Sequence, residues 1–389
     1  MANTIPFSKI PFAGNELNYI KEVFLSGWLT TSSKSLMFEK SFSEYVGAKY
    51  ACAVNSCTSA LHLAVEAIGI KKNDKVLVPT LTFTASSEVL RYLGADPVFI
   101  DVEYETGLIS PEILQQALKD YPGVKALVLV HYGGQAPQMV SPEGNGIKDI
   151  CEKNKISLIE DAAHAFPTKS GGRYVGTFGD VTCFSFYANK TITTAEGGML
   201  VTNDEKIYER AKIMRLHGIN HDIWERFTST KSSWEYDVVA PGFKYNMPDI
   251  NAAIGLAQLE KAEFFRKERQ RCAEFYYNHL HNIEFIDLPG LTGPLSNNSW
   301  HLFPIVIRPE AKVSREEFIR QLSRAGIGTS VHYKPLHRMS YYMETYNLKP
   351  ENYPNAEKIW KGRVSLPIYP DLTDSELNYI CSTINQILL

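Results

Sequence analysis

Lys125-Ala-Leu-Val-Leu-Val130, Gly146-Ile-Lys-Asp-Ile-Cys-Glu-Lys153 and Ile156-Ser-Leu-Ile159 read as strand, helix and strand in succession. Every position from Ala126 to Val130 is apolar, so that strand has no polar face to offer to water. Strands of this kind belong to sheets covered on both faces. A helical crossover between two of them joins parallel neighbours. The rhythm extends upstream. Ala51-Cys-Ala-Val54, Lys75-Val-Leu-Val78 and Pro97-Val-Phe-Ile-Asp101 are expected strands, and helices are expected over 38–46, 58–68, 86–93 and 111–119. Gly69 and Gly94 close two of those helices. The prediction is an α/β fold with a mostly parallel sheet, whose ligands gather at the carboxyl ends of strands. Asn55, Pro79 and Asp161 stand at or just beyond such ends, and Lys190 follows a further strand after a longer turn.

After Asp249 the pattern changes. Residues 250–280 read as one long helical stretch rich in Ala, Glu, Lys and Arg, a connector to a smaller domain. That domain mixes strands over 301–306 and 328–332 with helices over 314–324 and 375–388. The expected division is a large ligand-binding domain, 1–250, and a small C-terminal α/β domain, 251–389. No internal repeat or low-complexity tract interrupts the chain.

The 389 residues are 44% hydrophobic and 21% charged, as in an ordinary soluble globular protein. A net charge of −3 gives no electrostatic reason to expect nucleic acid or an anionic membrane as partner. No apolar run approaches the ~18–20 residues of a membrane span. The N-terminus lacks the basic and apolar regions of a signal peptide. The six cysteines are scattered without a C-x-x-C pair, which argues against a zinc site and a secreted disulfide framework. A cytoplasmic protein with free thiols and no metal is expected.

The chemistry centres on Lys190. Val181-Thr-Cys-Phe-Ser-Phe-Tyr-Ala-Asn-Lys190-Thr-Ile-Thr-Thr-Ala-Glu-Gly-Gly-Met-Leu-Val-Thr-Asn-Asp204 places it in a polar turn between two apolar, strand-like pieces. Partial desolvation there lowers a lysine pKa and frees the neutral amine, as a Schiff-base lysine requires. Upstream, Ile156-Ser-Leu-Ile-Glu-Asp161-Ala-Ala-His164 is an apolar strand ending in two carboxylates. A lysine amine and a buried aspartate for a pyridine nitrogen are the main protein contributions to pyridoxal phosphate (PLP) catalysis. If strand alternation persists, Glu160 points the opposite way and is structural. Ser56-Cys57-Thr58-Ser59 opens a helix, whose unpaired N–H groups and dipole suit a phosphate. A plain N-cap is the alternative.

The chain resembles the DegT-type sugar aminotransferases, a PLP-dependent family of the aspartate-aminotransferase fold (fold type I). The resemblance rests on segments in order over nearly the whole length: Gly27-Trp-Leu-Thr-Thr31, Asn55-Ser-Cys-Thr-Ser-Ala-Leu-His62, Pro79-Thr-Leu-Thr-Phe-Thr-Ala85 and Glu160-Asp-Ala-Ala-His164. It continues through Val175-Gly-Thr-Phe-Gly-Asp180, Phe184-Ser-Phe-Tyr-Ala-Asn-Lys190, Gly242-Phe-Lys-Tyr-Asn-Met-Pro-Asp249, His332-Tyr-Lys-Pro-Leu-His337 and Ser365-Leu-Pro-Ile-Tyr369. It implies a large domain with a seven-stranded sheet and a smaller C-terminal domain. It places the cofactor phosphate at Thr58 and Ser59, with Ser185 donating to it. It makes Phe83 the aromatic stacked on the pyridine ring, Asp161 the partner of the ring nitrogen and His164 a neighbour of the phenolic oxygen. Many relatives carry Gly where this chain has Cys57. Lys244 and Asn246 match a segment that reaches the phosphate of the neighbouring subunit, which implies a homodimer with shared sites. Trp28, Thr30, Thr31, Tyr187, His332 and His337 match positions around the sugar and its phosphates.

The activity so implied is amino transfer from glutamate to a nucleotide-linked keto-sugar. A 4-keto-6-deoxy sugar is favoured over a 3-keto sugar, for a bacterial surface polysaccharide or a related amino sugar. Two alternatives stand beside it. A sugar 3-dehydratase of the same fold would carry histidine in place of Lys190. A non-catalytic regulator would show an eroded cofactor site, whereas Asp161, Ser185 and Lys190 are all present.

Overall fold

The computed structural model describes residues 4–12, 14–220 and 236–389. Strands β1 (Tyr50–Val54), β2 (Lys75–Pro79), β3 (Asp96–Ile100), β4 (Ala126–Val130), β5 (Ser157–Asp161), β8 (Val181–Ser185) and β9 (Gly198–Thr202) form one seven-stranded sheet. The order is β1-β9-β8-β5-β4-β2-β3. A small hairpin, β6 (Lys169–Ser170) and β7 (Arg173–Tyr174), lies apart from it. The run from β3 through β2, β4 and β5 to β8 is parallel. Only β9 runs the other way, against both β8 and β1. The connection between β8 and β9 contains no helix, and a return without a crossover yields an antiparallel neighbour.

Alternate side chains feed two layers. Val76, Val78, Val128 and Ile159 pack with α3 (Cys57–Ala67), α4 (Ala85–Tyr92) and α7 (Glu205–Met214). Leu77, Leu127, Leu129 and Leu158 pack with α5 (Pro111–Asp120) and α6 (Ile147–Asn154) on the opposite face. Further along that face, Phe38 and Phe42 of α2 (Ser33–Val46) meet Phe166, Phe184 and Phe186. Burying each such side chain contributes about 1.5–3 kcal/mol, so the sheet plane and its edges are firmly set.

The helical stretch expected over 250–280 is two helices, α8 (Asp249–Leu259) and α9 (Ala262–Leu280), broken at Glu260–Lys261. The expected division after residue 250 falls inside α8, which packs on α2 and on α1 (Glu16–Ser26). A second core lies on the antiparallel sheet of β10 (Ile286–Asp287), β11 (Phe303–Ile307) and β12 (Arg363–Leu366). It is covered by α9, α10 (Arg315–Arg324) and α13 (Asp374–Leu388). The chain crosses between the cores more than once. Tyr342 of α11 (Ser340–Tyr346), with Ala356 and Ile359 of α12 (Pro354–Gly362), joins the first core, and Ile5 joins the second. Ile5 is clipped to residues 326–328: its N–H donates to the Gly326 carbonyl at 2.8 Å, and Gly328 donates back at 2.8 Å.

Candidate active site

β1, β5 and β8 end along one edge of the sheet, where β9 begins. Val54 and Ser185 both stand in register with Gly198, and Asp161 pairs with Cys183. A cavity of about 480 Å³ opens there, an ordinary size for a ligand site. Thr58, Phe83, Asp161, His164, Ser185, Tyr187, Lys190 and His332 line it, so eight residues spread over 275 positions of sequence meet at one place. Asn189 and Tyr333, not singled out in the sequence, line it too.

Its anionic end is the start of α3. Ser56 caps the helix, its Oγ accepting the Ser59 N–H at 3.1 Å. Ser59 is buried behind the cap, where its hydroxyl donates to Asn55 Oδ1 at 2.6 Å, and it does not line the cavity. The first-turn N–H groups of Cys57 and Thr58, with the positive end of the dipole, remain for an anion. β9 is laid directly on this turn. A Cβ at Gly198 would stand 2.5 Å from the carbonyl carbon of Ser56 and 2.6 Å from the nitrogen of Cys57. No side chain fits there.

Asp161 and Glu160 leave β5 on opposite faces. Asp161 Oδ2 accepts from Ser86 Oγ at 2.7 Å, and Oδ1 from the Ala163 N–H at 3.1 Å. Burial raises its pKa, and these bonds only partly offset that. Glu160 does not line the cavity. It accepts from Gly179 N–H at 2.7 Å and Thr182 Oγ1 at 2.8 Å, and it sits 2.7 Å from His131 Nε2.

Burial pulls the Lys190 amine down to about 8, against the opposing pull of Cys57 and Asp161. Its turn is fixed by its own N–H to the Tyr187 carbonyl at 3.0 Å and by Thr194 N–H to the Phe186 carbonyl at 2.9 Å. Asn189 Oδ1 is buried without a partner among the described residues. His164 is held well below its ordinary pKa by burial and by the charge of Lys190, so its ring is neutral. Its Nδ1 accepts the Gly133 N–H at 3.3 Å, and its Nε2 lies 3.0 Å from Tyr333 Oη. Burial likewise lowers His332, to about 4; its ring stacks on Phe7 at 5.5 Å and its Nδ1 lies 2.9 Å from Ser365 Oγ.

Other expected site residues gather elsewhere on this chain. Thr30, Thr31, Lys244 and Asn246 line a separate pocket of about 270 Å³. There Lys244 Nζ donates to Asn246 Oδ1 at 2.5 Å, and Asn246 Nδ2 to Thr31 Oγ1 at 2.7 Å. Trp28 leans on the same turn, its indole N–H 3.4 Å from the Thr31 carbonyl. His337 does not reach the Lys190 cavity. It is buried between Thr80 Oγ1 and Glu357 Oε1, each at 2.7 Å. The sequence signal for Tyr333 lay in the same His332–His337 segment, one residue from the one singled out. Ser86 and Gly133 gave none, because each acts through one contact with a residue 31 or 75 positions away.

A lysine whose pKa burial has lowered, in one cavity with an oriented carboxylate and a helix start open to an anion, defines a PLP-dependent transferase of fold type I. The family profile of the DegT/DnrJ/EryC1/StrS aminotransferases matches residues 12–385, and the chain belongs to that family. SpsC of Bacillus subtilis, a spore coat polysaccharide biosynthesis protein, is 38% identical over 391 residues, covering 99% of this chain and 97% of the relative. PseC of Helicobacter pylori, an aminotransferase involved in the biosynthesis of pseudoaminic acid, superposes with a TM-score of 0.90 at 27% identity, covering 99% of both chains. A proposed sugar aminotransferase of Streptococcus pneumoniae in its PLP form superposes with a TM-score of 0.87 at 29% identity, covering 100% of both chains.

Aminotransferases of this family use PLP, and the residues present fit it. The α3 start suits a doubly charged phosphate, Asp161 a protonated ring nitrogen and Lys190 an aldehyde carbon. Asn189 Oδ1, buried without a partner among the described residues, marks a polar stretch of the cavity wall. Among the described residues no helix is long and apolar enough to cross a membrane, and no group of three or more His, Cys, Asp or Glu gathers as a metal site would need. All six cysteines are free thiols.

Proposed function

We propose that the protein transfers an amino group from glutamate to a nucleotide-linked keto-sugar, a 4-keto-6-deoxy sugar before others, for a surface polysaccharide or related amino sugar. The observation that carries the reading is the buried Lys190 amine in one cavity with Asp161 and the α3 start. The sugar and polysaccharide chemistry of SpsC and of the proposed streptococcal sugar aminotransferase supports the acceptor class.

In this reading PLP supplies the electron sink. Lys190 would hold the cofactor at its aldehyde carbon, and its free amine would move a proton to or from the substrate carbon, as a base and acid with a pKa lowered to about 8 can. Asp161 keeps a proton on the ring nitrogen. Thr58, Ser185 and the α3 start bind the phosphate, with Ser59 bracing the turn from behind. Phe83 covers the ring, and His164 orients the groups at its phenolic edge. Tyr187 and His332 border the acceptor. Trp28, Thr30, Thr31, Lys244 and Asn246 complete the site of a second subunit. Three features support that homodimer: their pocket lies apart from this chain's own lysine; exposed Leu17, Phe24 and Leu25 give α1 an apolar outer face; and a dianion needs more donors than one helix start provides. The expected compartment is the cytoplasm.

The test is incubation of holoenzyme with glutamate and a panel of UDP-, dTDP- and GDP-linked 4-keto and 3-keto sugars, read by mass and NMR. One 2-oxoglutarate should form per sugar aminated at C4, with a Lys190→Ala control inert. Amination of free keto acids alone, with every sugar untouched, overturns the proposal.

A further inference from the structure

We infer that Tyr333 is a hydrogen-bond donor aimed at an electron-rich oxygen bound in the Lys190 cavity, and that His164 is the residue that aims it.

Proton positions fix the direction of each bond. His164 Nδ1 accepts the main-chain N–H of Gly133 at 3.3 Å, so in a neutral ring the single proton sits on Nε2. Burial and the charge of Lys190 keep that ring neutral. Nε2 therefore donates to Tyr333 Oη across 3.0 Å. A phenol oxygen that accepts from behind keeps its own hydrogen for another partner. Burial also raises the Tyr333 pKa, so the hydrogen stays on the oxygen. Tyr333 lines the cavity with Lys190, and no other hydrogen bond to its hydroxyl exists among the described residues. The backing is rigid. His164 packs on His301 at 4.3 Å between ring centroids, and its carbonyl accepts from Ser299 Oγ at 2.6 Å. Tyr333 packs on the Phe83 ring at 5.9 Å.

Two oxygens at this place share the required chemistry: the phenolic oxygen of the cofactor, and the carbonyl oxygen of a keto-substrate approaching Lys190. Both are electron-rich acceptors, and a carbonyl oxygen gains further negative charge when an amine adds to its carbon. A donor prepared in advance in a dry site stabilises such charge well. The cofactor arm rests on family membership. The carbonyl arm rests on the proposed activity only in naming a sugar, since 2-oxoglutarate presents the same group.

The test is Tyr333→Phe in holoenzyme, which keeps the ring and removes only the hydroxyl. Three readouts are taken: thermal melting, visible absorption against pH, and isotope exchange between glutamate and 2-oxoglutarate. Melting should stay within a few degrees of wild type. If the acceptor is the cofactor oxygen, the midpoint of the spectral titration should move by at least about half a pH unit. If it is the substrate carbonyl, the spectrum should hold and exchange should slow roughly 10- to 100-fold. A second pair tests the aiming. Gln at position 164 has an acceptor for Gly133 and a donor for Tyr333, whereas Leu has neither. His164→Gln should recover most of what His164→Leu loses. Tyr333→Phe with spectrum and exchange both unchanged overturns the proposal, and Gln and Leu behaving alike removes His164 from it. Neither result depends on which sugar the enzyme takes, so failure here is separable from failure of the sugar assignment.

Discussion

Glu160 and Asp161 are consecutive in one strand and almost equally buried, at 0% and 5% exposure, yet their surroundings differ in kind. Glu160 faces donors that all belong to the protein. Burial alone would raise its pKa, but bonds from His131, Gly179 and Thr182 outweigh that and hold it below the ordinary value. Asp161 has two donors among the described residues and an open cavity, and burial prevails, pushing its pKa up. A carboxylate whose needs are met inside the fold is structural. One left short of positive charge is waiting for it from a ligand. The protonated ring nitrogen of PLP is such a partner.

The largest expected effect separates the two directly. Asp161→Asn should cost three orders of magnitude or more in turnover, about 4 kcal/mol of barrier, with little change in melting temperature. Glu160→Gln should reverse the pattern. One hydrogen bond in its cluster turns unfavourable, costing about 1–3 kcal/mol of stability by denaturant unfolding. Specific activity of the folded enzyme should stay within a few-fold. Equal losses of turnover in both variants would break the distinction.

A smaller effect lies at the other end of the cavity. Gly198→Ala forces β9 off the α3 turn, since its Cβ would meet backbone atoms that have nowhere to go. The first-turn N–H groups should then lose their aim, weakening cofactor binding to the apoenzyme by roughly tenfold. Fluorescence titration checks this; an unchanged dissociation constant would show that the phosphate is held elsewhere.

The smallest effect is a displaced titration. Only neutral amine captures the cofactor, and Lys190 titrates near 8. The capture rate of apoenzyme should therefore rise about tenfold per pH unit up to about 8 and level off above it, where an ordinary lysine would keep rising to about 10.5. Asp161 pulls this pKa upward, so Asp161→Asn should lower the midpoint and Glu160→Gln should leave it in place. A midpoint near 10.5 would mean that the amine is solvated.

What could be read from the sequence follows the range of the interaction that fixes each feature. Apolar strands and their helices are local patterns, and the sheet, the Lys190 turn and the opposed directions of Glu160 and Asp161 were all visible in them. The reversed direction of β9 was available in principle, because no helix stands between Ser185 and Gly198, but strand periodicity alone carries no direction. The break at Glu260–Lys261 was hidden, because Glu and Lys are good helix formers and packing, not propensity, splits α8 from α9. The partners of the site residues were least legible. Ser86 for Asp161, Gly133 and Tyr333 for His164 and Ser365 for His332 are contacts made only after folding. The distinction between Thr58 and Ser59 was of the same kind: both sit in the first turn, and only the direction of each side chain decides which one reaches the cavity.

The clip at Ile5 has a practical side. The strap that it anchors runs on to Phe7, whose ring leans on His332 in the cavity wall. An affinity handle, surface linker or fusion partner joined ahead of Ile5 therefore pulls on a cord tied to the reaction chamber. Immobilisation for biocatalysis is better placed at Leu389, which is exposed at the end of α13, a helix that packs in the second core and lends no residue to the cavity.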